Sequence, residues 1–126
     1  MTTPAFRILI VDDDEGIRHF AARALSHGGY DVVTACDGLD AIRIVESEPR
    51  FDLFVLDVKM PGMRGDELAR RLHARDPTIK VVYFTGYADQ FFALRPVLRE
   101  NETVLVKPVT MEAFLNAVSH RIQHSA

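Results

Sequence analysis

The chain has 126 residues, 48% apolar and 26% charged, which is enough for one globular domain with a core of ordinary size and cramped for two. A formal charge of -3 and a pI near 5.9 provide no basic field for nucleic-acid phosphates or anionic lipid, and Lys and Arg occur without runs, so direct nucleic-acid binding is not expected. The single cysteine, Cys36, excludes a disulfide framework and a thiol pair for metal, and reads as a small residue at a strand end.

In chain order, strand-like and helix-like segments alternate. After Met1-Thr2-Thr3-Pro4, the run Phe6 to Val11 reads as a first strand, ended by Asp12-Asp13-Asp14-Glu15. Its apolar part, Ile8 to Val11, is too short for a signal-peptide core or a membrane span, so a cytoplasmic protein without membrane attachment is expected. Ile17, Phe20, Ala21, Ala24 and Leu25 then form one helical stripe, closed by Gly28-Gly29. Asp31 to Ala35 is a shorter, more polar strand nearer an edge, and Leu39 to Ser47 a helix ended by Pro49.

Leu53 to Leu56 reads as a strand buried on both faces, stopping at Asp57 and followed by Pro61-Gly62. Asp66 is expected to cap a helix carrying Leu68, Ala69 and Leu72, which ends before Pro77. Ile79 to Phe84 is the fourth strand, ending at Thr85-Gly86. Thr103 to Val106 is the fifth, ending at Lys107-Pro108. A last helix, capped by Thr110, places Met111, Phe114, Leu115, Val118 and Ile122 on one face.

Strands alternating with helices imply parallel pairing through right-handed crossovers, hence an α/β, doubly wound five-stranded parallel sheet with helices on both faces. Ligands in such sheets bind beyond the carboxyl ends of the strands, where the strand order reverses. Here those ends carry Asp12 and Asp13, then Asp57, Thr85 and Lys107. The order 2-1-3-4-5, taken by analogy from flavodoxin-like sheets, sets the acidic pair beside Asp57.

An aspartate ending a strand is most often only a turn starter. Three carboxylates converging on one sheet edge, however, repel one another unless a cation joins them. An all-oxygen ligand set suits a hard cation, with Mg²⁺ the usual intracellular choice. Such a site clamps phosphoryl oxygens, and Asp57 beside the metal has the means to attack phosphorus and form an acyl phosphate. Lys107 adds a second positive charge and Thr85 a hydroxyl donor.

Four strand-end motifs, Val11-Asp12-Asp13, Leu56-Asp57-Val58-Lys59-Met60-Pro61-Gly62, Phe84-Thr85-Gly86 and Val106-Lys107-Pro108, follow in order over nearly the whole chain. In these the sequence resembles the receiver domains of two-component response regulators, among them the chemotaxis receivers. The resemblance implies that Asp57 accepts a phosphoryl group from a histidine kinase or histidine phosphotransfer protein. It implies that Asp12, Asp13, Asp57 and the backbone carbonyl of Lys59 hold Mg²⁺, and that Thr85 and Lys107 hold the phosphoryl group. It also implies a readout by an unknown downstream protein on the face made by helix four, strand five and helix five. The domain assignment is residues 1–126 as one receiver.

Several positions depart from the family pattern. Where many receivers carry Tyr or Phe as a switch, this chain has Val104, so an output through backbone and helix-four movement stands beside a relay role without strong conformational output. Pro96 is expected to shorten or break the fourth helix, and the adjacent Phe91 and Phe92 either wedge around an irregular turn or leave one ring exposed at a partner or dimer surface. Lys59 and Tyr87 flank the acceptor and are candidate modulators of phosphoryl loss; the plainer reading of Lys59 is a solvated side chain. His19, His27, His73, His120 and His124 read as surface residues. No output domain is read after Ala126, so a stand-alone regulator or a receiver separated from a hybrid kinase is expected.

Two other function classes compete. A pseudo-receiver would bind partners without phosphorylation, although every site position carries a competent residue. A haloacid dehalogenase-type phosphatase would use Asp12-Asp13-Asp14 and leave Asp57 idle. Flavin binding lacks a phosphate loop after the first strand.

Overall fold

The computed structural model describes residues 6–48, 50–95 and 97–123. The readings above that concern Met1 to Pro4, Pro49, Pro96, His124 and Ala126 lie outside the described residues. Strands β1 (Arg7–Val11), β2 (Asp31–Ala35), β3 (Leu53–Leu56), β4 (Lys80–Thr85) and β5 (Glu102–Val106) alternate with helices α1 (Glu15–His27), α2 (Gly38–Ser47), α3 (Gly65–Arg75), α4 (Ala88–Leu94) and α5 (Met111–Gln123). All four strand pairings are parallel, in the order β2-β1-β3-β4-β5. The expected doubly wound sheet is therefore present, with the more polar β2 at one edge.

Side chains alternate between the two faces of the sheet. Ile8, Ile10, Leu53, Val55, Val82 and Phe84 pack with α1 and α5. Leu9, Val11, Phe54, Leu56, Val81 and Tyr83 pack with α2, α3 and Phe91 of α4. Because β3 lies at the centre, all four of its residues are buried, which explains its unbroken apolar run. Each of these side chains contributes roughly 1.5–3 kcal/mol by leaving water.

Local chemistry sets the helix ends. Asp14 accepts the Ile17 N–H at 3.0 Å to start α1, Asp37 accepts the Asp40 N–H at 2.9 Å to start α2, and Thr110 accepts the Ala113 N–H at 3.0 Å to start α5. α1 stops at Gly28-Gly29, where Gly29 takes φ +90°.

Several boundaries differ from the sequence expectation, among them the start of α2, at Gly38 rather than Leu39, and the end of β4, at Thr85 rather than Phe84. β1 begins at Arg7, with Phe6 exposed outside it, and β4 begins at Lys80 after Ile79. β5 begins one residue early, at Glu102, a carboxylate that no apolar pattern marks as buried. Asp66 does not cap α3: the helix starts at Gly65, and Asp66 sits in its first turn, accepting from Arg64 Nε at 3.0 Å. The tertiary reason is close approach. The Gly65 N–H donates to the Val58 carbonyl at 2.9 Å, and a Cβ on Gly65 would collide with the backbone carbonyl of Asp57.

Gly65→Ala is accordingly expected to force the Asp57 loop away from α3 and to lower unfolding stability by about 2 kcal/mol, measured by urea denaturation. A neutral effect would show that the loop yields without cost.

Candidate functional site

The parallel register brings the site together. Val11 pairs with Leu56, so Asp12 and Asp57, the residues that follow, leave adjacent strands side by side. The Asp57 N–H donates to the Val11 carbonyl at 2.9 Å, and the Lys107 N–H to the Thr85 carbonyl at 2.8 Å, so each strand end is tied to its neighbour. Asp12, Asp13 and Asp57 each offer an oxygen within 4.8 Å of the others; Asp12 and Asp57 are buried and Asp13 is exposed.

Lys107 is the cation that answers this charge. Its Nζ donates to Asp12 Oδ2 at 2.9 Å and lies 3.6 Å from Asp57 Oδ1. One ammonium does not balance the group. Burial and the neighbouring Asp12 push the Asp57 carboxyl from 3.8 up to about 6, against the pull of Lys107. The remaining Asp12 oxygen is held by the Asp14 N–H at 2.9 Å. Arg18 Nη1 donates to the Asp12 carbonyl at 2.7 Å. That clamp spans one helical turn of α1 and was not anticipated from the sequence; the only available sign was a basic residue six positions after an acidic strand end.

The open cleft above these groups, about 710 Å³, is lined by Asp12, Asp13, Asp14, Asp57, Lys59, Met60, Pro61, Tyr87 and Lys107. Lys59 and Tyr87 meet across its mouth, with Lys59 Nζ 4.5 Å from the centre of the Tyr87 ring, a cation-π distance. Thr85 is placed differently. It is wholly buried at the end of β4, does not line the cleft, and its Oγ1 accepts the Tyr87 N–H at 2.9 Å. Val104 is half-buried opposite Tyr83.

Phe91 is buried and Phe92 is 38% exposed, so one ring is left outside rather than both wedged around a turn, and α4 is only seven residues long. His73 corrects the expectation of surface histidines: it is buried in α3, its Nε2 3.7 Å from Glu102 Oε2 and without a hydrogen-bond partner. It faces the sheet because α3 turns Leu68, Ala69 and Leu72 inward and position 73 shares that stripe. His19, His27 and His120 are exposed.

The donor set fits a hard divalent cation: three carboxylate oxygens in reach of one another, no nitrogen or sulfur among them, and one carboxyl whose ionisation is disfavoured by burial and by the neighbouring Asp12.

Comparison with known proteins agrees with this construction. The response regulator receiver domain family matches residues 8–119. The response regulator receiver protein CpdR of Brucella abortus (strain 2308) is 37% identical over 114 residues, which cover 89% of this chain and 92% of that protein. Sensor kinase CckA of the same strain is 32% identical over 117 residues, covering 92% of this chain and 12% of the kinase. The crystal structure of a CheY-like response regulator receiver domain protein from Methanospirillum hungatei JF-1 superposes with a TM-score of 0.82 at 30% identity, covering 95% of each chain. The chain belongs to the response regulator receiver family of two-component signalling. Among the described residues, no helix is long and apolar enough to cross a membrane.

Because the folded state holds Asp57 protonated to a higher pH than the unfolded chain does, stability without metal falls as pH rises from about 3.8 to about 6 and stays lowered above it. Asp57→Asn should therefore stabilise the metal-free protein at pH 7.5, by up to about 3 kcal/mol, and little at pH 4. Thermal melts should show the gain shrinking when Mg²⁺ is added, since the cation relieves the same repulsion in the parent.

Proposed function

We propose that Asp57 accepts a phosphoryl group from a histidine kinase or a histidine phosphotransfer protein in a Mg²⁺-dependent reaction. In this reading residues 1–126 work as one cytoplasmic receiver. It signals to a downstream protein through the face made by α4, β5 and α5, with no direct part for nucleic acid or membrane. The observation that carries the reading is the meeting of Asp12, Asp13 and Asp57 at one sheet edge with Lys107 bridging two of them. That sensor kinase CckA carries a matching segment supports a kinase as the donor's source.

In the transfer, a carboxylate oxygen of Asp57 bonds to phosphorus as the bond from phosphorus to the donor imidazole nitrogen breaks, and that nitrogen keeps the electron pair. Asp12, Asp13, Asp57 and the Lys59 carbonyl are the groups that would hold Mg²⁺, which supplies charge neutralisation for carboxylates and phosphoryl oxygens. Lys107 already lies 3.6 Å from Asp57 Oδ1 and would turn from Asp12 to a phosphoryl oxygen. Thr85 reaches the same group only by moving toward the cleft. A partner-binding role without phosphorylation is disfavoured because every position of the site carries a competent side chain.

Lys59 and Tyr87 modulate the product. Their cation-π pair stands over the approach of water to phosphorus, so breaking it shortens the life of the acyl phosphate.

Intact mass after incubation with Mg²⁺ and acetyl phosphate should show one added phosphoryl group in the parent, none in Asp57→Asn, and none after chelation. No gain in the parent with either acetyl phosphate or a phosphorylated histidine donor overturns the assignment. In Lys59→Ala the same assay, followed over time, should show loss of the phosphoryl group several-fold faster; an unchanged lifetime makes Lys59 a solvated side chain only.

A further inference from the structure

α4 is a short helix without a side-chain cap, too short to hold itself together. It is fastened at both ends. At its start the Tyr87 N–H is held by Thr85 Oγ1 at 2.9 Å. At its end lies a buried polar network centred on Glu102, whose side chain is fully shielded from solvent.

Arg95, the residue that closes α4, donates from Nη2 to Glu102 Oε1 at 2.7 Å and from Nη1 to the Tyr83 hydroxyl at 2.9 Å. Tyr83 in turn donates to Glu102 Oε2 at 2.7 Å, and the Arg99 N–H to Glu102 Oε1 at 2.9 Å. Tyr83 lies in β4, two residues before Thr85, and its ring packs 4.6 Å from Phe91, the buried residue of α4. The strand that presents Thr85 to the site thus also carries one member of the network that holds the far end of α4.

Thr85 cannot serve both ends of this arrangement unchanged. To reach a phosphoryl group on Asp57 it must move toward the cleft it does not now line, and its hold on the Tyr87 amide moves with it. We propose that the Tyr83–Arg95–Glu102 network is a latch that fixes α4 in the conformation in which Thr85 holds Tyr87, and that it opposes the Thr85-linked displacement of α4. The latch rests on the phosphoacceptor reading above, and takes the place of an aromatic switch that Val104 does not provide. An interaction made more strongly in one conformer lowers the apparent affinity of any ligand that favours the other.

Fluoroberyllate with Mg²⁺, a mimic of the phosphoryl group, tests this in the full chain. Glu102→Gln, which keeps shape and removes charge, and Tyr83→Phe, which keeps the ring and removes the hydroxyl, should each bind fluoroberyllate roughly fivefold or more tightly than the parent. The Phe91 and Arg95 amides of these variants should exchange hydrogen faster before the mimic is added. Should Glu102→Gln fail to fold, Tyr83→Phe alone decides. Equal or weaker binding in the folded variants overturns the latch while leaving Asp57 as the acceptor. If the parent gains the phosphoryl mass but neither it nor the folded variants bind fluoroberyllate, the latch alone is overturned; if the parent gains no phosphoryl mass and neither it nor the variants bind the mimic, both are overturned.

Discussion

Repulsion among three carboxylates at one edge of a buried sheet is the constraint around which the molecule is arranged. Parallel pairing of β1 with β3 sends both chains out of the sheet at the same end, so Asp12 and Asp57 emerge together by topology rather than by any contact of their own. A one-residue slip in that pairing would exchange the side chains that β3 sends to the two faces of the sheet, and the close packing of Ile8 to Val11 and Leu53 to Leu56 on both faces opposes it. The hydrophobic core therefore holds the acids in place against their own charge. Lys107, delivered by β5 from the far side of β4, offsets part of that charge, and the remainder is what a divalent cation would neutralise.

The helices differ in how firmly they are held. α3 is pinned, its first residue packed under the Asp57 carbonyl, and α1 and α5 are sealed against the opposite face by Ala21, Ala24, Phe114 and Val118. α4 has one fully buried side chain, Phe91, and otherwise depends on polar contacts with Thr85 and Glu102. Burial favours the neutral form of Glu102, but the His73, Arg95, Arg99 and Tyr83 groups around it together outweigh that and hold its carboxyl well below the usual range. The net stability such a buried ion pair adds is small, because desolvation offsets its attraction, but breaking it leaves an uncompensated buried charge. That is the property the proposed latch on α4 uses.

Most of this plan was legible in the sequence because it rests on local patterns. The strand ends at Asp12, Asp57, Thr85 and Lys107 are marked by abrupt changes from apolar to polar residues, and the 2-1-3-4-5 order by analogy with sheets of the same alternation. What the sequence concealed is what only tertiary contact creates. Gly65 displaced Asp66 as the start of α3 because a backbone carbonyl passes too close for a side chain. Glu102 reads as a polar residue before a strand, and its burial follows from an arginine seven positions earlier and a tyrosine on the neighbouring strand. His73 is buried for a related reason, and the Arg18 clamp on the Asp12 carbonyl has no periodic signature.

The most direct test of this account is a carboxyl-carbon NMR titration of Asp57 in the metal-free protein and again with saturating Mg²⁺. The account predicts a midpoint near pH 6 without the cation and a marked fall when it binds. A midpoint near the ordinary value of 3.8 that Mg²⁺ leaves unchanged would contradict it, since Asp57 would then be neither disfavoured as a buried charge beside Asp12 nor joined to it by an ion.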